Sequence, residues 1–168
     1  LQTTGDFLAQ LTTPAGHVYN FADCDPGLSP ILAEALAMLA NAQDRPDWRH
    51  VARLAPAASP LYLSCEDGTA PAAPSPRRAA VFPTTGVATL RSGWQTEDLF
   101  AGLKSGPSTV GHSHLDANSF VLEAAGQPLV IEHPYWPQAH FLGFFDPAAL
   151  RWNFDGPATV GHSTLLVD

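Results

Sequence analysis

Ala80-Val81-Phe82 and, after Pro83-Thr84-Thr85, Gly86-Val87-Ala88-Thr89-Leu90-Arg91 mark the point where the chain's apolar spacing changes to a period of two. That period sends successive side chains to opposite faces, as in a β-strand. Outward from this stretch, residues 99–104, 119–124 and 128–131 are strand candidates too, separated by Gly, Pro and charged turns. Thr164-Leu165-Leu166-Val167 reads as one more strand. Between the last two, residues 133–160 are aromatic and Pro-rich, which suits a long loop with functional contacts.

Upstream the signals are helical. Asp6-Phe7-Leu8-Ala9-Gln10-Leu11 fits the last turns of an amphipathic helix ended by Thr12-Thr13-Pro14-Ala15-Gly16. Ser29-Pro30 supplies an N-cap and a first helical position, and Ile31, Leu32, Ala35, Leu36 and Leu39 follow at helical spacing. Pro46-Asp47-Trp48 opens a shorter helix running to about Leu54. Residues 55–78, with Pro71-Ala72-Ala73-Pro74-Ser75-Pro76, read as a connector of polyproline character. Helices first and strands afterwards predict an α+β fold, not an alternating parallel sheet.

The chain has 168 residues, enough for one domain with a real core. It starts at Leu1 and stops at Asp168 just after an apolar run, so it reads as a piece of a longer protein. With a net charge of −8 and only 8 Lys and Arg, it lacks the clustered cations that nucleic acid requires. No window approaches the roughly 20 apolar residues of a membrane span. Cys24 and Cys65 are too few for a disulfide scaffold.

The chemistry concentrates in Gly111-His112-Ser113-His114-Leu115-Asp116-Ala117-Asn118-Ser119-Phe120. On an extended strand His112 and His114 would share one side, a common way to start a divalent-metal site or to place a cation next to an anionic substrate. Glu132, embedded in Pro128-Leu129-Val130-Ile131, needs a positive neighbour if buried. A metal ion held by His114, Glu132 and His162 would be that neighbour. Asp116 either orients a ligating imidazole or is a turn or strand-edge aspartate. Lys104 is either a solvated edge lysine or a cation for an acidic substrate. Trp94, Tyr135, Trp136 and Trp152 are either core aromatics or sugar-stacking platforms.

From Phe82 to Asp168 the chain resembles the heparinase II/III-like family of polysaccharide lyases. The matching pieces are Phe82-Pro83, Leu90-Arg91-Ser92-Gly93-Trp94, Lys104-Ser105-Gly106, the histidine run, Gly126-Gln127-Pro128-Leu129-Val130-Ile131-Glu132 and Gly161-His162-Ser163-Thr164. Pro14-Ala15-Gly16-His17-Val18-Tyr19-Asn20-Phe21-Ala22-Asp23 resembles the family's late helical loop. The resemblance implies the last helices of an (α/α) toroid over residues 1–58, a Pro/Ala-rich linker over 59–78, and a partial antiparallel β-sandwich over 79–168.

It also implies an enzyme of the periplasm or cell exterior that cleaves uronic-acid polysaccharides by β-elimination. By position, His112 matches the family's substrate-facing histidine. His114, Glu132 and His162 match its structural zinc ligands, with Glu132 where the family usually has Asp. The family's catalytic Tyr, with a further His or Asn, lies in the toroid mostly upstream of Leu1, and Tyr19 is no clear match for it. The chain alone is therefore expected to be inactive, its substrate an anionic, uronate-containing polysaccharide.

Two rival readings carry different expectations. A cupin-type metal enzyme would open with Gly106 and His112-Ser113-His114, but that pattern wants Glu where this chain has Asn118 and Ser119. A non-catalytic, metal-stabilised carbohydrate-binding β-domain is the third.

Overall fold

The computed structural model describes residues 2–24, 30–54, 77–110, 112–133, 144–145 and 150–166. Helices α1 (Gln2–Leu11), α2 (Pro30–Ala42) and α3 (Pro46–Ala52) precede strands β1 (Ala79–Phe82), β2 (Val87–Arg91), β3 (Phe100–Lys104), β4 (Ser119–Ala124) and β5 (Gln127–Val130). The predicted α+β order is observed, and the strands lie within a residue of their expected positions. The linker over 59–78, apart from Arg77 and Arg78, lies outside the described residues, as do Cys65, Tyr135 and Trp136.

Proline starts both later helices, at Pro30 and Pro46, where its missing N–H costs nothing. Helix α2 buries Ala33, Leu36, Ala37 and Ala40, the i, i+3, i+4, i+7 stripe of an amphipathic helix. Helix α3 turns Trp48, Val51 and Ala52 into the same core. Trp48 Nε1 donates to Asp6 Oδ1 at 3.1 Å, and Arg45 bridges Asp6 and Asp47, so α1 and α3 are tied by a polar clasp over an aromatic ring.

The strands form one antiparallel meander in the order β1-β2-β3-β4-β5. Its register sorts the side chains into rows: Val87, Lys104 and Ser119; Thr89, Gly102 and Val121; Arg91, Phe100 and Glu123. These nine residues form the buried face. It is polar for a sheet interior because it receives the loop after α1 as well as apolar core. At Gly102 the Tyr19 ring occupies the space a Cβ would need. On the other face Val81, Leu90, Leu103 and Phe120 are exposed.

Two expectations are corrected. Residues 164–166 are not a strand, for none of them is placed in the sheet. Thr164 Oγ1 instead donates to the Ala117 carbonyl at 2.7 Å, fastening the segment across the histidine loop, while Leu165 and Leu166 stay exposed. Strand propensity without a ladder partner does not make a strand. Likewise His112 and His114 do not lie on a strand. β3 ends at Lys104, and His112 has φ +64°, a left-handed turn conformation that breaks two-residue alternation.

Candidate active site

The site lies where two loops and two C-terminal segments meet. The first loop leaves α1 by a tight reversal, Thr12 bridging to Val18 with Gly16 at φ +85°. Tyr19 N–H then donates to the Leu11 carbonyl at 2.9 Å, which carries the chain toward Asp23 along the buried face of the sheet. The second loop joins β3 to β4 and carries the histidines.

Asp23 is the point of contact. His112 Nδ1 lies 2.9 Å from its Oδ2, and His114 Nε2 lies 2.8 Å from its Oδ1. Arg151, from a short 3-10 turn (Arg151–Asn153), donates from Nη2 to both oxygens at 3.0 and 3.2 Å. The same guanidinium holds the Ser113 carbonyl, so it braces the histidine loop as well. Burial pushes the Asp23 carboxyl up, but hydrogen bonds from His114, Arg151 and His112, with the Arg151 charge, outweigh it. Its pKa therefore falls below the usual carboxylate range.

The two histidines differ in exposure. The His112 side chain is 70% exposed and the His114 side chain 5%. His112 borders a cavity of about 340 Å³, which Phe21, Thr85, Lys104, Val110 and Asp116 also line. His114 turns inward, its ring centroid 5.1 Å from that of His162. His162 Nδ1 in turn meets the Glu132 carboxylate in a short hydrogen bond. The structure thus brings together His114, Glu132 and His162, the residues singled out in the sequence as ligands.

Each of these three has a buried atom with no hydrogen-bond partner among the described residues: His114 Nδ1, Glu132 Oε1 and His162 Nε2. Two imidazole nitrogens and a carboxylate oxygen are a donor set suited to zinc, and Asp23 on the far nitrogen of His114 is the kind of outer carboxylate that orients a ligating histidine. In chemistry and burial these residues fit a metal ion. Among the described residues, though, no group of three or more His, Cys, Asp or Glu side chains has the arrangement of a metal site. Glu132 and His162 are instead paired with each other.

Asp116, expected beside a ligating imidazole, pairs with Lys104: Nζ to Oδ1 is 3.4 Å, both side chains almost fully buried. Lys104 is therefore no solvated edge lysine. Trp94 is a core aromatic lying under Arg91, whose guanidinium carbon is 3.8 Å from the ring centroid. Burial foremost, then the Glu132 charge, pushes the Tyr19 hydroxyl up, which keeps it protonated. Sequence reasoning missed Asp23 and Arg151. The nearest signal was the place of Asp23 at the end of segment 14–23, the run that resembles the family's late helical loop.

An α+β chain in which a helical loop and a sheet loop jointly orient a histidine pair defines the class. The family profile described as "Heparinase II/III-like, C-terminal" matches residues 74–168, more than half of the chain, and the chain belongs to that family. Among solved structures it is similar to a heparinase III gene product, with a TM-score of 0.69 and 15% identity over 97% of this chain and 23% of that one. A second structure titled heparinase III gives a TM-score of 0.69 at 15% identity, covering 97% of this chain and 25% of that one. The heparan sulfate lyase HepC from Pedobacter heparinus gives 0.56 at 16% identity, over 74% and 18%. The chain thus spans a quarter or less of these proteins' length. A search of curated proteins returns no match to the sequence. With the family assigned, the cupin reading falls away.

Proposed function

We propose that this chain is part of a polysaccharide lyase that cleaves uronate-containing polysaccharides by β-elimination, acting in the periplasm or outside the cell. The observation that carries this reading is His112: exposed, at the rim of a cavity, held at Nδ1 by Asp23, in a chain of the heparinase II/III-like family.

Elimination removes the C5 proton of the uronate, breaks the bond from C4 to the glycosidic oxygen, and protonates that oxygen as it leaves. The uronate carboxylate must be neutralised so that the carbanion-like charge at C5 is tolerated. His112 offers its Nε2 side to the cavity, where it would take a proton from a bound uronate or return one. Lys104 lines the same cavity and adds positive charge to its wall, partly balanced by Asp116. In this proposal His114, Glu132 and His162 would hold zinc, which would supply the charge that the buried Glu132 requires and tie three segments behind His112.

The test is made on the full-length protein. Uronate-containing polymers should yield products with unsaturated-uronate absorbance, and His112→Ala should lower kcat by about 100-fold or more, the usual scale for a lost acid–base group. Full activity in His112→Ala would remove His112 from the mechanism. A full-length protein that releases no unsaturated uronate from any such polymer, yet binds one, would instead be a carbohydrate-binding β-domain.

A further inference from the structure

The contacts of Asp23 go beyond holding two loops together. We propose that Asp23 is a positioning residue that fixes the two histidines in opposite tautomers, Nδ1–H on His112 and Nε2–H on His114. The proposal rests on the lyase reading only for its consequence on turnover.

The argument is one of hydrogen-bond inventory. An ionised carboxylate can only accept, and a guanidinium can only donate. Arg151 Nη2 contacts both Asp23 oxygens, so this carboxylate sits against a permanent cation and offers acceptors alone to the imidazoles. His112 presents Nδ1 to Oδ2 at 2.9 Å, and His114 presents Nε2 to Oδ1 at 2.8 Å. Each facing nitrogen must carry a proton, and in the neutral imidazole the opposite nitrogen keeps a lone pair.

On His112 the lone pair falls on Nε2, on a side chain that borders the cavity. On His114 it falls on Nδ1, the buried atom that has no protein partner. One carboxylate thereby directs one lone pair toward substrate and the other toward the interior beside His162. The backbone turns sharply on both sides of this contact. Ala22, beside Asp23, has φ +58° and His112 has φ +64°. Both are non-glycine residues in the left-handed region, and both flank one contact.

The experiment uses full-length protein with nitrogen-15-labelled histidine. Wild type should show His112 as the Nδ1–H form and His114 as the Nε2–H form in long-range nitrogen–proton spectra. Asp23→Asn, which keeps the shape but offers an NH2 in place of one oxygen, should switch at least one histidine to the other tautomer. In the same variant kcat should fall about 10–100-fold, the scale for lost outer-shell carboxylates, while KM changes less than kcat. Asp23→Glu should keep both tautomers and recover part of the rate.

Wild-type His112 protonated at Nε2 alone overturns the proposal, and that measurement needs no variant to fold. An Asp23→Asn protein of native circular dichroism with both tautomers unchanged also overturns it. If wild type shows both predicted tautomers but eliminates no uronate polymer, the lyase reading fails and the assignment of Asp23 stands.

Discussion

Arg91 on β2 donates from Nη1 to the main-chain carbonyl of Thr12 at 3.0 Å, and from Nη2 to that of Gln10. A strand of the sheet thus closes the C-terminal end of α1, satisfying carbonyls that a helix leaves open. The guanidinium is buried deeply enough to be pulled down to about 10, yet it remains charged at neutral pH.

Arg91→Met should destabilise the protein by about 2–4 kcal/mol, because two enclosed carbonyls lose their donor. Arg91→Lys should recover little, since an ammonium lacks the flat fork that reaches both oxygens. Denaturant midpoints of the two variants check this, and near-wild-type midpoints would show that water replaces the guanidinium.

Lys104 and Asp116 form a pair with almost no solvent access. Lys104→Met alone should cost about 3–5 kcal/mol, because it strands a buried carboxylate. Lys104→Met combined with Asp116→Asn should be more stable than the single change, giving a measurable coupling in a double-mutant cycle. Additive effects would mean that the pair makes no net contribution.

Acid should weaken the fold in two steps. Burial foremost, then the Arg53 charge, holds His50 below its usual 6.5. Its neutral form therefore favours the folded chain, a contribution full above 6.5 and lost as the pH falls from there through the lower native value. Burial pushes Asp47 up, but the hydrogen bond and charge of Arg45 outweigh it and leave the carboxyl below its usual 3.8. That contribution is full above 3.8 and disappears as the pH falls through the lower native value. Urea midpoints should begin to fall as the pH drops below 6.5, and less so in His50→Gln; the later loss, below 3.8, should be smaller in Asp47→Asn.

If zinc is held as proposed, full-length protein should contain about one zinc ion per chain, and chelation should lower its thermal midpoint. Glu132→Gln and His162→Ala should each reduce the metal content. Equal content in wild type and both variants would place any metal elsewhere.

The helices and sheet were legible because each residue's role there is local. Pro30 and Pro46 start helices by their own φ, and the stretch 119–124 alternates over the full length of β4. The meeting of His114 with Glu132 and His162 was also foreseeable, since each is a ligand-type residue in an apolar or glycine-flanked setting. What stayed hidden depended on partners far along the chain. Asp23 is an ordinary loop aspartate until residues 89 and 91 positions later reach it. Asp116 lies near enough to His114 to be taken for its helper, yet the buried Lys104 cation claims it, because an uncompensated charge there is far costlier than a lost imidazole contact.

The Asp23 junction also has a consequence in time. Its arginine lies 128 positions after it. Synthesis runs from the N-terminus, so the aspartate emerges well before the arginine that braces it. The two imidazoles can take their fixed orientation only after residue 151 has been made and the helical loop has docked on the sheet. The orientation of His112 therefore reports that the helical loop, the histidine loop and the Arg151 turn have all docked on one another.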